Sequence, residues 1–285
     1  MAVAVCGAAF LPEWTWGQNL FVANGNNTIS EITPGGSVST FAVGFSGPTG
    51  LTFDSSGNLF VANEDDTTIS EITPGGNVST YASGLDGPNG LAFNSSGDLF
   101  VSNWNTGTIS EVTPGGNVST FASGFTKPYG LAFNSSGDLF VTGYLGTKIY
   151  EITPGGNVST FVPSGLASPR FLAFAGSGNL FVANGGNGTI AEVTPGGNVS
   201  LFATGLSFPE GVAFDNSGNL FVANSGSGTI SEVTPGGNVS TFATGLIGPM
   251  GLAFAPVPEP AEAAGMTGIA ALGVGFWYQR RKKQN

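Results

Sequence analysis

Residues 48–87 read PTGLTFDSSGNLFVANEDDTTISEITPGGNVSTYASGLDG, and the reading of this stretch decides the fold. It holds four short runs: Gly50-Leu51-Thr52-Phe53, Asn58-Leu59-Phe60-Val61-Ala62-Asn63, Thr68-Ile69-Ser70-Glu71-Ile72-Thr73 and Val78-Ser79-Thr80-Tyr81-Ala82. Each has strand length and none is long enough for a helix. The separators are turn chemistry: Asp54-Ser55-Ser56-Gly57 offers a glycine for φ > 0, and the Thr-Pro-Gly-Gly run joins a φ-fixed proline to permissive glycines. Leu59-Phe60-Val61 is a continuous apolar run, as expected of a strand covered on both faces.

The unit recurs along the chain. Thr-Pro-Gly-Gly has its proline at Pro34, Pro74, Pro114, Pro154, Pro195 and Pro235, spaced by 40, 40, 40, 41 and 40 residues. Leu-Phe-Val begins at Leu20, Leu59, Leu99, Leu139, Leu180 and Leu220, and the Gly-Leu-Ala-Phe run ends at Phe53, Phe93, Phe133, Phe174, Phe214 and Phe254. Six copies of a four-stranded unit predict an all-β fold, a six-bladed β-propeller of four-stranded antiparallel blades. The first repeat lacks its own Gly-Leu-Ala-Phe run, while Gly251-Leu252-Ala253-Phe254 is left over at the end, so the C-terminal strand is expected to complete the first blade. Such closure removes sheet edges. Seventeen of the 23 phenylalanines fall at three fixed repeat positions and are assigned to the core. The equivalent glutamates Glu31, Glu71, Glu111, Glu151, Glu192 and Glu232 read as architecture or solvated surface, and the Asn-Val-Ser triplets at Asn77, Asn117, Asn157, Asn198 and Asn238 as hairpin turns.

Composition excludes much chemistry. There is no histidine, so no imidazole general base, Ser-His-Asp triad or histidine-ligated metal can be built. A formal charge of −11 disfavours nucleic acid as a partner. The single cysteine, Cys6, excludes an internal disulfide. Residues 1–254 hold 16 acidic and 3 basic side chains, whereas the rest holds 2 and 4.

The ends differ from the repeats. Residues 1–18 read as the remnant of a signal peptide and leader, 19–254 as the propeller, 255–262 as a linker and 263–285 as a short apolar transmembrane helix with a basic tail. The order Pro258-Glu259-Pro260, apolar stretch, then Arg280-Arg281-Lys282-Lys283 resembles the PEP-CTERM sorting signal of exported proteins in Gram-negative bacteria. The resemblance implies recognition by an exosortase, transient membrane anchoring by the C-terminal helix, and a place in the cell envelope, at the surface or outside the cell. With the inner strand running from mouth to base, Phe254 ends at the base and the tail leaves from the face opposite the mouth. The propeller is expected to be a monomer.

A binding site is sought where the repeats differ. The position after the proline of each inner strand is expected at the channel mouth, and carries Met250, Thr49, Asn89, Tyr129, Arg170 and Glu210 in blade order. The basic residues outside the tail, Lys127, Lys148 and Arg170, lie within 44 positions of one another, and Trp104, Tyr129 and Tyr144 are near them in the expected mouth loops. Aromatic faces stack on sugar rings and cations attract carboxylates, so these six residues form a candidate patch for an acidic polysaccharide. Glu64-Asp65-Asp66 reads as a solvated acidic tip, without the alternating spacing of a calcium loop.

The repeat body resembles NHL-type propellers and the related gluconolactonase and streptogramin-lyase families. The lyase resemblance implies a histidine-dependent catalysis that this chain cannot perform. The gluconolactonase resemblance implies a divalent metal such as Ca or Zn at the mouth, with Asn89 and Glu210 as the matching ligands. These fall on opposite blades, and Arg170 beside Glu210 would compete with the metal. The sequence thus favours a non-enzymatic exported binding protein without a cofactor, with a metal-dependent lactone hydrolase as the alternative.

Overall fold

The computed structural model describes residues 18–256. It contains 24 strands in six four-stranded antiparallel sheets. Blade one is built from Pro249–Phe254, Leu20–Asn24, Thr28–Ile32 and Val38–Val43, in that order, so the last strand of the repeat region closes the ring as expected. The inner strands of blades two to six are Pro48–Phe53, Pro88–Phe93, Pro128–Phe133, Pro169–Phe174 and Pro209–Phe214, each followed by its second, third and outer strands. Closure is fixed by the pairing of Leu20 with Phe254 and by a 2.9 Å bond from the Ala255 N–H to the Asn19 carbonyl.

The second strand explains the core. All five residues of Leu59–Asn63 are buried because the strand is sandwiched between neighbouring blades. Leu59 and Val61 join Phe21, Ala23 and Ile29 of blade one, whereas Phe60 and Ala62 join Leu91, Leu99 and Val101 of blade three. Alternation therefore sends successive side chains into two different inter-blade wedges. In each wedge a phenylalanine from the second strand meets two aromatic rings edge-on, as Phe60 does with Tyr81 at 4.8 Å and Phe93 at 5.0 Å. Burying each such ring contributes about 2–3 kcal/mol.

The inner strands crowd the axis. A Cβ on Gly50 would overlap the Asn89 carbonyl, and one on Gly90 the Tyr129 carbonyl, so glycine there lets neighbouring blades approach. Closure joins the chain ends but does not remove sheet edges: each blade keeps an inner edge, crowded at the axis by its neighbours, and a free outer strand. Those strands are five or six residues long, and their register with the third strand shifts at a bulge, which blunts them against pairing.

The expected hairpins are present at the base. The Asp54 N–H donates to Asn58 O at 3.0 Å, and the Thr73 N–H to Asn77 O at 3.0 Å, so the Asn of each Asn-Val-Ser triplet closes the turn while its Val and Ser open the outer strand. The repeated glutamates sit opposite phenylalanine on the third strand, half-buried, and amides of Asn19 and Asn179 donate to Glu31 at 2.6 Å and Glu192 at 2.7 Å. This position suits their architectural reading.

Inner strands run from a proline at the mouth to a phenylalanine at the base. Gln18 and Ala255 meet at the base, where the Gln18 side chain donates to the Ala255 carbonyl at 2.7 Å. The leader, the Pro258-Glu259-Pro260 motif, the apolar helix and Arg280-Arg281 lie outside the described residues. No helix among the described residues is long and apolar enough to cross a membrane.

Candidate functional site

The mouth is built from two rings of side chains. The inner ring is the predicted one, the second residue of each inner strand: Met250, Thr49, Asn89, Tyr129, Arg170 and Glu210. The outer ring follows the second strand of each blade: Gly25, Glu64, Trp104, Tyr144, Gly185 and Ser225. The rings interlock with a shift of one blade. Glu64 faces Asn89, Trp104 meets Tyr129 with centroids 5.8 Å apart, and Tyr144 lies under the Arg170 guanidinium at 3.9 Å. Small residues occupy the other half of the outer ring, so the mouth is roofed on one side only.

Arg170 is the hub of the roofed side. Its Nη1 is 3.2 Å from Glu210 Oε1 and its Nη2 donates to the Tyr144 hydroxyl at 3.0 Å. The rings of Tyr129 and Phe208 flank it, each at 5.5 Å. Nε is buried without a hydrogen-bond partner, beneath Gly185, where a Cβ would come within 2.7 Å of it. Glycine at 185 thus makes room for the guanidinium. Tyr129 crosses from blade four to blade six and donates to Glu210 Oε2 at 3.3 Å. Its ring also meets Phe171 at 5.0 Å, where five blades carry glycine.

Burial sets the electrostatics. The Glu210 carboxyl is pushed up to about 7, because the cost of burying its charge outweighs the opposing pull of Arg170 and the Tyr129 hydroxyl. Burial, with the Glu210 charge second, also holds the Tyr129 hydroxyl well above the usual phenol range. Glu64 is raised mainly by burial. Asn89 is 0% exposed, and neither amide atom makes a well-formed hydrogen bond even though the Glu64 carboxylate faces it.

Of the six residues expected in the patch, five converge: Trp104, Lys127, Tyr129, Tyr144 and Arg170, with Lys127 Nζ 5.1 Å above the Trp104 ring. Lys148 does not join them; it is exposed at the far end of the Tyr144 loop. Thr49 turns its hydroxyl toward the carbonyls of Ala62, Pro88 and Asn89 at 3.3–3.4 Å, and Met250 is half-buried. The acidic tip divides: Asp65 and Asp66 are exposed, but Glu64 turns inward to the mouth. Phe208 was not anticipated. Its signal was the loss of the Gly-Pro pair that precedes inner strands in blades one to three, replaced by Lys127-Pro128, Ser168-Pro169 and Phe208-Pro209.

The mouth does not fit a metal through Asn89 and Glu210. They lie on blades three and six, and both Glu210 oxygens are engaged, one by Arg170 and one by Tyr129. Among the described residues no three His, Cys, Asp or Glu side chains are grouped to hold a metal ion. Two grooves, of about 550 and 350 Å³, lie on the opposite, base face and are lined by the repeated Phe and Glu side chains of blades two to four. They express the repeat rather than the asymmetry of the mouth.

The fold and site define a six-bladed β-propeller with one polar and aromatic sector at its mouth. The chain belongs to the Virginiamycin B lyase family, whose model matches residues 45–276. Among solved structures it is similar to the propeller of a nidogen/laminin complex, with a TM-score of 0.77, 19% identity, and 84% of this chain and 99% of that chain covered. A streptogramin B lyase matches with a TM-score of 0.67, 18% identity and coverage of 84% and 87%. A putative gluconolactonase matches with a TM-score of 0.63, 19% identity and coverage of 78% and 86%. At these identities the likeness is one of fold. No curated protein matches the sequence.

Proposed function

We propose that the protein is a non-catalytic binding propeller that takes a saccharide at the roofed side of its mouth. The observation that carries this reading is where the backbone is held against its preference. Lys127, Ser168 and Phe208 have φ of 49°, 48° and 54°, at the positions where blades two, three and one have Gly47, Gly87 and Gly248. Each non-glycine residue in this left-handed region costs about 1 kcal/mol. The three are on consecutive blades, and two of them set Lys127 over Trp104 and Phe208 beside Arg170.

The chemistry of the sector suits a sugar. Phe208 is half exposed and Trp104 and Tyr144 are partly exposed, so aromatic surface is available to the C–H face of a pyranose. Because Arg170 is already paired with Glu210 and buried, Lys127 is the cation that meets a carboxylate, which keeps acidic sugars within reach. Catalysis is disfavoured. A Staphylococcus aureus virginiamycin B lyase with one histidine changed to alanine is described as catalytically inactive, and this chain has no histidine. The lactone-hydrolase alternative lacks a fitting metal site. The resemblance of Pro258-Glu259-Pro260, the apolar stretch and Arg280-Arg281 to a PEP-CTERM signal extends the proposal to an exosortase substrate exported to the envelope or beyond.

Calorimetric titration of the full-length chain with polygalacturonate, and with dextran as an uncharged reference, tests the reading. Binding that Trp104→Ala lowers tenfold or more supports it. No heat with either polymer, or binding indifferent to Trp104→Ala, overturns it.

A further inference from the structure

We infer that Ser102 and Thr142 are positioning residues whose hydroxyls set the two packed pairs of the mouth, Trp104 edge-on against Tyr129 and Tyr144 under Arg170. The inference rests on the reading of the mouth as a binding site. At the fourth residue of the second strand, four blades carry Ala23, Ala62, Ala183 and Ala223. Blades three and four carry Ser102 and Thr142 instead, both 0% exposed.

Their hydrogen bonds bridge blades. Ser102 Oγ accepts from the Gly90 N–H at 2.8 Å and donates to the Tyr129 carbonyl at 2.6 Å. Thr142 Oγ1 accepts from the Gly130 N–H at 2.9 Å and donates to the Arg170 carbonyl at 2.6 Å. Each hydroxyl thus ties the inner strand of its own blade to the mouth residue of the next.

The placement follows the stacking. Ser102 stands two residues before Trp104, which packs on Tyr129, the residue whose carbonyl Ser102 holds. Thr142 stands two residues before Tyr144, which packs on Arg170, the residue whose carbonyl Thr142 holds. Covering and covered side chains are therefore referenced to one strand by a short buried bond. If these hydroxyls served the scaffold, all six blades would need them. They occur in the two blades whose outer-ring aromatic packs on the mouth residue of the next blade, where a fixed geometry of the binding surface matters.

The test uses the full-length, isotope-labelled chain and its Ser102→Ala and Thr142→Ala variants, which install the residue native to four blades and should fold. Two quantities are read: the indole N–H resonance of Trp104, sensitive to the ring currents of Tyr129 and Tyr144, and the affinity for polygalacturonate. The expected result is a displaced Trp104 resonance in both variants with an affinity loss of about threefold or more, recovery of both by Thr142→Ser, and no change on Ala62→Ser in blade two. An unmoved resonance in both variants, or lower thermal stability as the sole effect, overturns the inference. If the unaltered chain does not bind polygalacturonate or dextran, the binding reading fails by itself, and the Trp104 resonance still decides whether the hydroxyls position the mouth.

Discussion

Arg170 and Glu210 form the one ion pair among the described residues, Nη1 to Oε1 at 3.2 Å, with both side chains under a tenth exposed. The pair lies between adjacent blades and is wrapped by Tyr129, Tyr144 and Phe208. Despite the guanidinium, Glu210 keeps its raised pKa, so burial is the larger influence and each partner depends on the other to be tolerated there.

Arg170→Met should therefore be costly through the charge it strands. At pH 8, where the unaltered chain holds Glu210 largely ionised beside the guanidinium, the variant must bear that charge uncompensated or take up a proton, and its stability to urea is expected to fall by about 1–3 kcal/mol. At pH 5 Glu210 is already protonated in the unaltered chain, so no carboxylate is stranded and the loss should be clearly smaller. Equal losses at the two pH values would show that Arg170 acts through packing alone.

The same carboxyl gives a signed pH dependence. Its folded-state pKa of about 7 exceeds its ordinary 4.5, so the folded protein holds this proton more tightly than the unfolded chain. The stabilisation is full below about pH 4.5 and is lost as pH rises through about 7. The rise from 4.5 to about 7 corresponds to about 3 kcal/mol. Comparing urea unfolding of the unaltered chain with Glu210→Gln from pH 4.5 to 8 cancels the surface carboxylates, and the unaltered chain should lose stability relative to the variant by that order. Parallel curves would contradict the burial argument.

The fold was legible because one 40-residue pattern specifies everything the ring needs: Leu59-Phe60-Val61 for a strand covered on both faces, Thr73-Pro74-Gly75-Gly76 for its turns, and an unpaired Gly251–Phe254 for closure. The inner ring of the mouth was legible for the same reason, since a repeat places equivalent positions at equivalent radii. Which of those residues touch was not. Glu64 looked like part of a solvated tip because sequence alone does not show its rotation toward Asn89. Arg170 was legible as a neighbour of Glu210, since the two hold the same position on adjacent blades, but the buried ion pair they form was not. Phe208, Ser102 and Thr142 were visible as departures from the repeat, but what they do depends on contacts made across blade boundaries.

Gly185→Ala tests how tightly the guanidinium is seated. A Cβ there would approach Arg170 Nε to 2.7 Å and Cγ to 3.1 Å, and the stacked Tyr144 blocks retreat to the other side. Forcing one methyl into this contact should cost about 1–3 kcal/mol. It should also shift the Trp104 indole resonance, because Tyr144 packs on Trp104 with centroids 4.5 Å apart. A variant of unaltered stability would mean that Arg170 moves freely in its site.

Lys127→Gly and Phe208→Gly separate stability from function. Relief of the left-handed backbone favours the folded variant by about 1 kcal/mol each, and the greater freedom of glycine in the unfolded chain offsets about 0.4–1 kcal/mol of that. Phe208 is 51% exposed and Lys127 half-buried, so little packing is lost with either side chain. Thermal unfolding should therefore show each variant equal to or slightly more stable than the unaltered chain, while affinity for polygalacturonate falls at least severalfold through loss of a ring face or of the cation over Trp104. That combination is expected of residues retained against backbone preference for the sake of a ligand. Lower stability with unchanged affinity would identify them as packing residues and remove the observation on which the binding reading stands.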